Sequence, residues 1–338
     1  SLTKAAAAKW QAANGVSPAV GYFGPISRAK YNSLAGGTGT QPSTGPYVPP
    51  PATGLAASLA SNNPAAGSLI SGTASAARVP VLAVNLTAGS ASGVTVNELK
   101  FKKTGVLSDS SIAGAYLIEN GQVVAQYNSI TNGVVVFSGL GFSVAAGQTK
   151  NLTLAVDPAT GLSAGNTVGF ALSAAGDVSA TDASSAAVTA SGAFPLNGNT
   201  FTVTTVANPS IATLTVASSS IGTTVTAGTN NNLVGAWNFT VSNSKVYLKS
   251  INFKVIGSAN KSDIRNVKLL VNGTQAGQTL AQVNSSGNAY LDATANPATL
   301  NTGSNNVQLY ADIMGSPSFN FQFEILNSYE IYATDSQY

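Results

Sequence analysis

Twelve carboxylates are the main chemical resource of this 338-residue chain, because it contains no histidine and no cysteine. That removes the commonest general base, the commonest metal ligand, thiolate chemistry and any disulfide framework. Some of the acids recur in pairs: Asp177 and Asp182 return as Glu330 and Asp335, and Asp157 returns as Asp312. Acids at repeated positions can share general acid and base work, gather oxygen ligands round calcium, or cap a turn at a strand end. No Asp-x-Asp-x-Asp-Gly loop accompanies them, and no nucleophilic triad or phosphate-cradling loop is evident. Turn capping is the expected role. The chain is not expected to be an enzyme, to bind a cofactor or to hold a metal. Lys100, Lys102 and Lys254 fall on strand-like runs with Glu98, but no spacing singles out an isopeptide pair. Glycosylation sequons at Asn85, Asn151, Asn238, Asn260, Asn272 and Asn284 arise easily in a chain this rich in Asn, Ser and Thr.

The repeated acids sit at the ends of strand-like runs, and the runs themselves occur twice. Residues 82–87, 94–101 and 115–121 are answered by 236–240, 246–253 and 267–273. Residues 151–157 correspond to 306–312, and 177–182 to 330–335. The offset stays between 152 (Val94 to Val246) and 155 (Asp157 to Asp312), which marks a duplication. Both copies alternate apolar and polar residues with period two, broken by Gly, Asn, Ser and Asp. Asn120-Gly121 and Asn272-Gly273 predict type I′ hairpin turns, whose two central residues need positive φ. The alternation shifts phase once in each copy, at Asn97-Glu98 and at Lys249-Ser250, which predicts a β-bulge at one shared site. No helix is expected after residue 35. The fold class is mainly β: two tandem immunoglobulin-like antiparallel β-sandwiches preceded by a short helical segment and a Pro/Gly-rich arm. The Cys-Trp-Cys signature of true immunoglobulin domains is missing.

The copies differ at their ends. After Asp182 the first runs on through the alternating stretch 194–203, whereas after Asp335 only Ser336, Gln337 and Tyr338 follow. The second sandwich is therefore expected to lack a terminal strand and to expose an edge over a long apolar face, a hazard that natural proteins block. Strand addition from another chain is one remedy. It joins copies head to tail and builds open filaments. Closure by its own residues 329–333 is the other.

Charged residues are only 8% of the chain, so self-repulsion is weak and close packing of like subunits is easy. The positive charge is local. Residues 1–97 hold Lys4, Lys9, Arg28, Lys30 and Arg78 with no acid, while the remainder holds ten bases against twelve acids. Five spread cations make no tracking groove for nucleic acid. They suit an acidic surface on a neighbour instead. No run of eighteen apolar residues exists, so no membrane span is expected, and an export signal would have been removed before this form.

Residues 3–13 are strong helix formers with Thr3 placed to cap, and Asn14-Gly15 stops them. A second short helix is possible over 27–32. Lys9-Trp10-Gln11-Ala12-Ala13-Asn14-Gly15-Val16, followed by Gly21-Tyr22-Phe23-Gly24-Pro25-Ile26-Ser27-Arg28-Ala29, resembles the second half of a PGRP-like, three-helix peptidoglycan-binding domain. The resemblance implies contact with cell-wall glycan. The family's first helices have no counterpart here, and half of so small a domain buries too little surface to stand alone. Docking of this piece on another surface is the favoured expectation. Residues 36–54 follow, rich in Gly, Ser, Thr and Pro, with Tyr47-Val48-Pro49-Pro50-Pro51 favouring an extended polyproline conformation.

The expected organisation is a helical segment at 1–35, an arm at 36–54, a first sandwich at 55–207 and a second at 208–338. The expected function is a structural subunit of an extracellular cell-surface polymer, a pilus-like filament or surface-layer array, whose partner is a second copy of itself joined head to tail. Trp10, Tyr22, Phe23, Tyr47 and Val48 are the expected assembly contacts, since aromatic anchors concentrate interface energy. The alternative is a monomeric cell-wall-binding adhesin or anchor, with cell-wall glycan as partner.

Overall fold

The computed structural model describes residues 8–9, 11–13, 52–73, 75–205, 211–222, 224–315 and 317–336. The chain divides into a unit of residues 1–44 and a larger one of 45–338. In the first, Ala8, Lys9 and Gln11–Ala13 are helical, within the stretch whose alanines favour that state. The expected contacts Trp10, Tyr22, Phe23, Tyr47 and Val48, the possible helix at 27–32 and most of the arm lie outside the described residues.

The larger unit is built of strands. In chain order the first fourteen are β1 (Leu55–Leu59), β2 (Gly67–Ser71), β3 (Val79–Ala88), β4 (Val94–Thr104), β5 (Ile112–Glu119), β6 (Gln122–Tyr127) and β7 (Val134–Val144). Then come β8 (Thr149–Pro158), β9 (Thr167–Leu172), β10 (Val178–Thr181), β11 (Ala187–Val188), β12 (Ala190–Ser191), β13 (Leu196–Asn197) and β14 (Phe201–Thr205). One sheet runs β12-β1-β3-β8-β5-β6. The facing sheet runs β11-β10-β4-β9-β14-β2, with β7 also on β4 and β13 also on β9. Ten more strands follow: β15 (Thr213–Ser218), β16 (Thr229–Ser242), β17 (Val246–Ile256), β18 (Ile264–Val271) and β19 (Thr274–Gln282). The last five are β20 (Asn288–Asp292), β21 (Ala298–Leu300), β22 (Gly303–Ile313), β23 (Gln322–Glu324) and β24 (Ile331–Asp335). They form a sheet β15-β16-β22-β18-β19 facing a second in which β17 is paired by β20 and β21 on one side and by β23 and β24 on the other. Among the described residues after 35, the only helical turns are single 3-10 turns at 109–111, 175–177, 261–263 and 328–330.

Local sequence explains much of this. Asn120 and Gly121 take φ of 50° and 80°, and Asn272 and Gly273 take 49° and 82°, as type I′ turns require. The ladder slips one residue between Val96 and Glu98 of β4 against β10 and between Leu248 and Ser250 of β17 against β24, so the repeated phase shift is a bulge in both copies. Gly277 makes a further slip possible in β19. Its φ is 68°, and a Cβ there would lie 2.2 Å from the Asp292 carbonyl oxygen.

Each sandwich closes on its own apolar core. Phe101, Phe137 and Phe170 are buried in the first, Phe101 edge-on to Phe137 at 6.1 Å. Phe253 and Trp237 fill the second, their ring centroids 4.7 Å apart. The architecture departs from a purely antiparallel one at two edges: β12 runs parallel to β1, and β14 parallel to β2. Those partners lie well over a hundred residues apart in sequence, so no hairpin dictates their direction.

Candidate assembly groove

Of the recurring carboxylates, Asp177 and Asp182 cap local turns, and the other four tie together segments distant in sequence. Asp182 Oδ1 accepts from the Ser184 hydroxyl at 2.7 Å and from the Ser184 and Ala186 amides at 2.8 and 3.0 Å. Asp177 Oδ2 accepts from the amides of Ser173 and Ala174 at 3.0 and 2.9 Å. Glu330 accepts from the Asn252 amide at 2.7 Å, and Asp335 from the Ser244 hydroxyl at 2.9 Å and the Ala212 amide. Asp157 and Asp312 do one job twice: each accepts the amide of a residue with positive φ, Arg78 (φ 50°) in the first copy and Asn231 (φ 53°) in the second. Asp157 and Asp312 engage both carboxylate oxygens, the second taking the Tyr116 hydroxyl in one copy and the Asn266 side-chain amide in the other.

A stability profile follows. Hydrogen bonds hold Asp182 and Asp312 below the ordinary carboxylate range, chiefly the Ser184 hydroxyl for one and the Asn266 side-chain amide for the other. A carboxylate depressed on folding adds stability above its unfolded pKa, about 3.9, and loses it as pH falls through the folded value. Guanidinium unfolding midpoints should therefore hold from pH 7 down to roughly pH 4.5 and then fall with further acidification. A midpoint unchanged at about pH 2.5 would show that these bonds contribute nothing to folding.

The chain's distinctive feature emerges when the duplicated positions are compared. The first sandwich is sealed on one side by residues 187–205. There β11 pairs with β10, β12 lies on β1, and β13 and β14 lie on β9. In the second sandwich β24 takes the place of β10 and β23 that of β9, on the same side of the central strand. Residues 331–335 thus correspond to an inner strand of the first copy and do not close the second. Among the described residues nothing pairs with the outer edges of β23 and β24, nor with that of β15, the counterpart of β1. Consistent with this, β23 has three residues where β9, paired on both sides, has six.

Burial changes accordingly. Leu55 and Ala57 of β1 are 0% and 2% exposed, whereas their counterparts Leu214 and Val216 are half-buried and 38% exposed. Val168 and Leu172 of β9 are fully buried, while Phe321 and Ile325 in their places are half-buried. Beside these strands lies a groove of about 700 Å³ lined by Leu214, Val216, Trp237, Val246, Phe323 and Ile331, with Arg78, Glu324 and Asp335 among its polar groups, while Phe321 lines a smaller hollow with Phe319. The strand expected to be missing from the end of the second copy concerns the edge of β23 and β24. The second edge, β15, was missed, although the signal existed in the alternation of Leu214 and Val216, which repeats that of Leu55 and Ala57.

Arg78 also joins the two sandwiches. Its guanidinium donates to the backbone carbonyls of Tyr329 at 2.9 Å and Ile331 at 2.6 Å. Beside it the Tyr116 hydroxyl donates to Asp157 at 2.7 Å, and the Tyr116 and Tyr329 rings meet at 6.1 Å. Tyr290 donates to the carbonyl of Asn120, at the tip of the β5–β6 hairpin. Burial pushes the Tyr116, Tyr290 and Tyr329 hydroxyls above the ordinary tyrosine range, the first helped by its bond to Asp157. Burial likewise lowers Arg78, with the Asp157 charge opposing it. Sequence reading took Arg78 as one cation among five.

No protein family matches the chain by sequence, and no curated protein does. Solved structures similar to it include a fucolectin from striped bass (Morone saxatilis) serum, 10% identical over 77% of this chain and 84% of that one, TM-score 0.21. The C-terminal domain of the Streptococcus pyogenes antigen I/II-family protein AspA is 7% identical over 85% of this chain and all (100%) of that one, TM-score 0.20. A chaperone–tip adhesion subunit pre-assembly complex from archaic chaperone-usher Csu pili of Acinetobacter baumannii is 10% identical over 82% of this chain and 100% of that one, TM-score 0.19. Scores this low carry no argument about function, which rests on the chain's own geometry.

Proposed function

We propose that the chain is a structural subunit of an extracellular cell-surface polymer, a pilus-like filament or a surface-layer array. In this reading the arm before Ala52 in one copy engages the open side of the second sandwich in the next. One observation carries it: apolar positions that the first sandwich buries under its own strands are half-buried or exposed in the second, beside two strand edges that pair with nothing among the described residues. An edge of that kind favours β-strand addition, in which backbone hydrogen bonds supply affinity and alternate side chains supply specificity. Charge supports the same occupant. Residues 1–54 carry Lys4, Lys9, Arg28 and Lys30 with no acid, and the groove carries Glu324 and Asp335. The guanidinium of Arg78 is turned to the Tyr329 and Ile331 carbonyls. Donation from one face to a different face is heterologous, so assembly continues head to tail.

Truncation tests this. The carbonyls of Ala52 and Gly54 accept from Ala91 and Gly89, so these residues belong to the sandwich and the cut should fall after Pro51. A chain without residues 1–51 is expected to stay folded and to lose ordered polymer in negative-stain images. Unchanged polymers would overturn the reading. Retention of the full chain on purified cell-wall sacculi without self-association would favour a wall-bound anchor instead, the role that the peptidoglycan-binding resemblance at residues 9–29 supports.

A further inference from the structure

We infer that the strand that adds to the β23 edge beside the groove is Ala19–Gly24 of a second copy, running antiparallel to β23 with Val20 and Tyr22 turned inward. This rests on the polymer reading and specifies it. The first sandwich supplies the template, because its closing strand answers the same surface. There Phe201 pairs with Val168 and Thr202 with Thr167, while Leu196 pairs with Leu172. The Val203 amide donates to the Asn166 carbonyl at 2.7 Å. Phe201 and Val203 are buried, 4% and 1% exposed, and Thr202 between them is exposed. At the offset of 153 that relates Phe170 to Phe323 (323 − 170), Val168 becomes Phe321 and Thr167 becomes Asn320. An occupant must therefore place bulky apolar side chains at i and i+2, the first opposite Phe321, and must offer amide donors to the edge.

Three conditions select the segment. A proline in the strand removes a ladder donor, which counts against Pro46 and Pro49–Pro51 around Tyr47 and Val48. The alanine-rich stretch 3–13 favours helix. Within 26–41 the best i, i+2 pair is Ala29 and Tyr31, and alanine is too small to take the place of Phe201. Ala19-Val20-Gly21-Tyr22-Phe23-Gly24 is free of proline between Pro18 and Pro25 and sets Val20 and Tyr22 two apart. Gly21 then corresponds to the exposed Thr202, opposite Asn320.

The absence of cysteine makes the register directly readable. A chain carrying Gly21→Cys is mixed with one carrying Asn320→Cys under mild oxidation and separated without reductant. A disulfide-linked pair of twice the chain mass is expected. A Val48→Cys and Asn320→Cys mixture should give none, and adding Tyr22→Asp to the Gly21→Cys chain should abolish the link. Gly21 and Tyr22 precede in sequence every strand that builds the two sandwiches. Linkage through Val48 in place of Gly21 would overturn the segment and leave the polymer reading standing. So would no link in either mixture from chains that still polymerise. A link that forms only when Gly21→Cys and Asn320→Cys share one chain would place the arm in its own groove and sink both.

Discussion

Arg78→Asn should cost the folded chain about 3 kcal/mol, because hydrogen bonds made by a charged group are worth about 1.5–3 kcal/mol each and two at the lower end are lost together. The choice of asparagine isolates that effect. Arg78 sits at φ 50°, and its counterpart in the second copy, Asn231, sits at φ 53° with the same bond to an aspartate. Asparagine therefore keeps the backbone turn and the Asp157 cap while removing only the guanidinium from the Tyr329 and Ile331 carbonyls. Arg78→Ala should cost about 1 kcal/mol more, since a residue with a Cβ pays for positive φ without the local hydrogen bonding that asparagine offers. Guanidinium unfolding of the two variants measures both steps. Small-angle scattering of Arg78→Asn should also show a broader spread of angles between the sandwiches. If Arg78→Asn unfolds with the parent's midpoint and slope, the guanidinium does not hold the sandwiches together.

The contrast between Arg78 and Asn231 also shows what could be read from the chain and what could not. Features fixed by neighbouring residues were legible. The Asn-Gly turns, the bulges at Asn97 and Lys249 and the duplicated strands all announce themselves within about ten residues, because positive φ and side-chain alternation are local demands. Long-range pairing was not. The parallel pairings of β12 on β1 and β14 on β2 leave no periodic trace, and strand direction at an edge is free when no hairpin imposes it. The destination of Arg78, more than 250 residues away, is equally silent in sequence (Ile331 is at separation 253). Turn capping is expected of the repeated acids, and the bonding partners show it at Asp177 and Asp182, whereas Asp157, Asp312, Glu330 and Asp335 reach partners far away in sequence that no local pattern names. A missing terminal strand is the sequence expectation for the second copy, whereas the unpaired outer edge of β15 among the described residues follows only from laying one copy on the other. The aromatic contacts Trp10, Tyr22, Phe23 and Tyr47, with Val48, lie outside the described residues, so they are carried forward as part of the proposal.

Phe253→Ala and Phe101→Ala should destabilise their sandwiches unequally, although the duplication makes them one substitution at one position. Removing a buried phenylalanine costs about 3–5 kcal/mol, and the figure depends on how far the surroundings can collapse. Phe101 is held edge-on by Phe137 at 6.1 Å, in a sandwich sealed by β14, whose Phe201 and Val203 are buried. Nothing there can move into the gap, so the cost should fall at the upper end. Phe253 stacks on Trp237 at 4.7 Å and meets Phe323 edge-on at 6.4 Å, and both neighbours form the floor of the groove. That floor has open space on its far side and can settle toward the missing ring, so the cost should be about 1 kcal/mol smaller. The cores are separate clusters, so each variant should lower one calorimetric transition more than the other. Occupancy reverses the order. In assembled polymer a strand would cover the floor and block its collapse, and Phe253→Ala should then cost as much as Phe101→Ala. Equal costs in both the dispersed and the assembled protein would mean that the groove is already filled in the single chain, and the assembly reading would lose its footing.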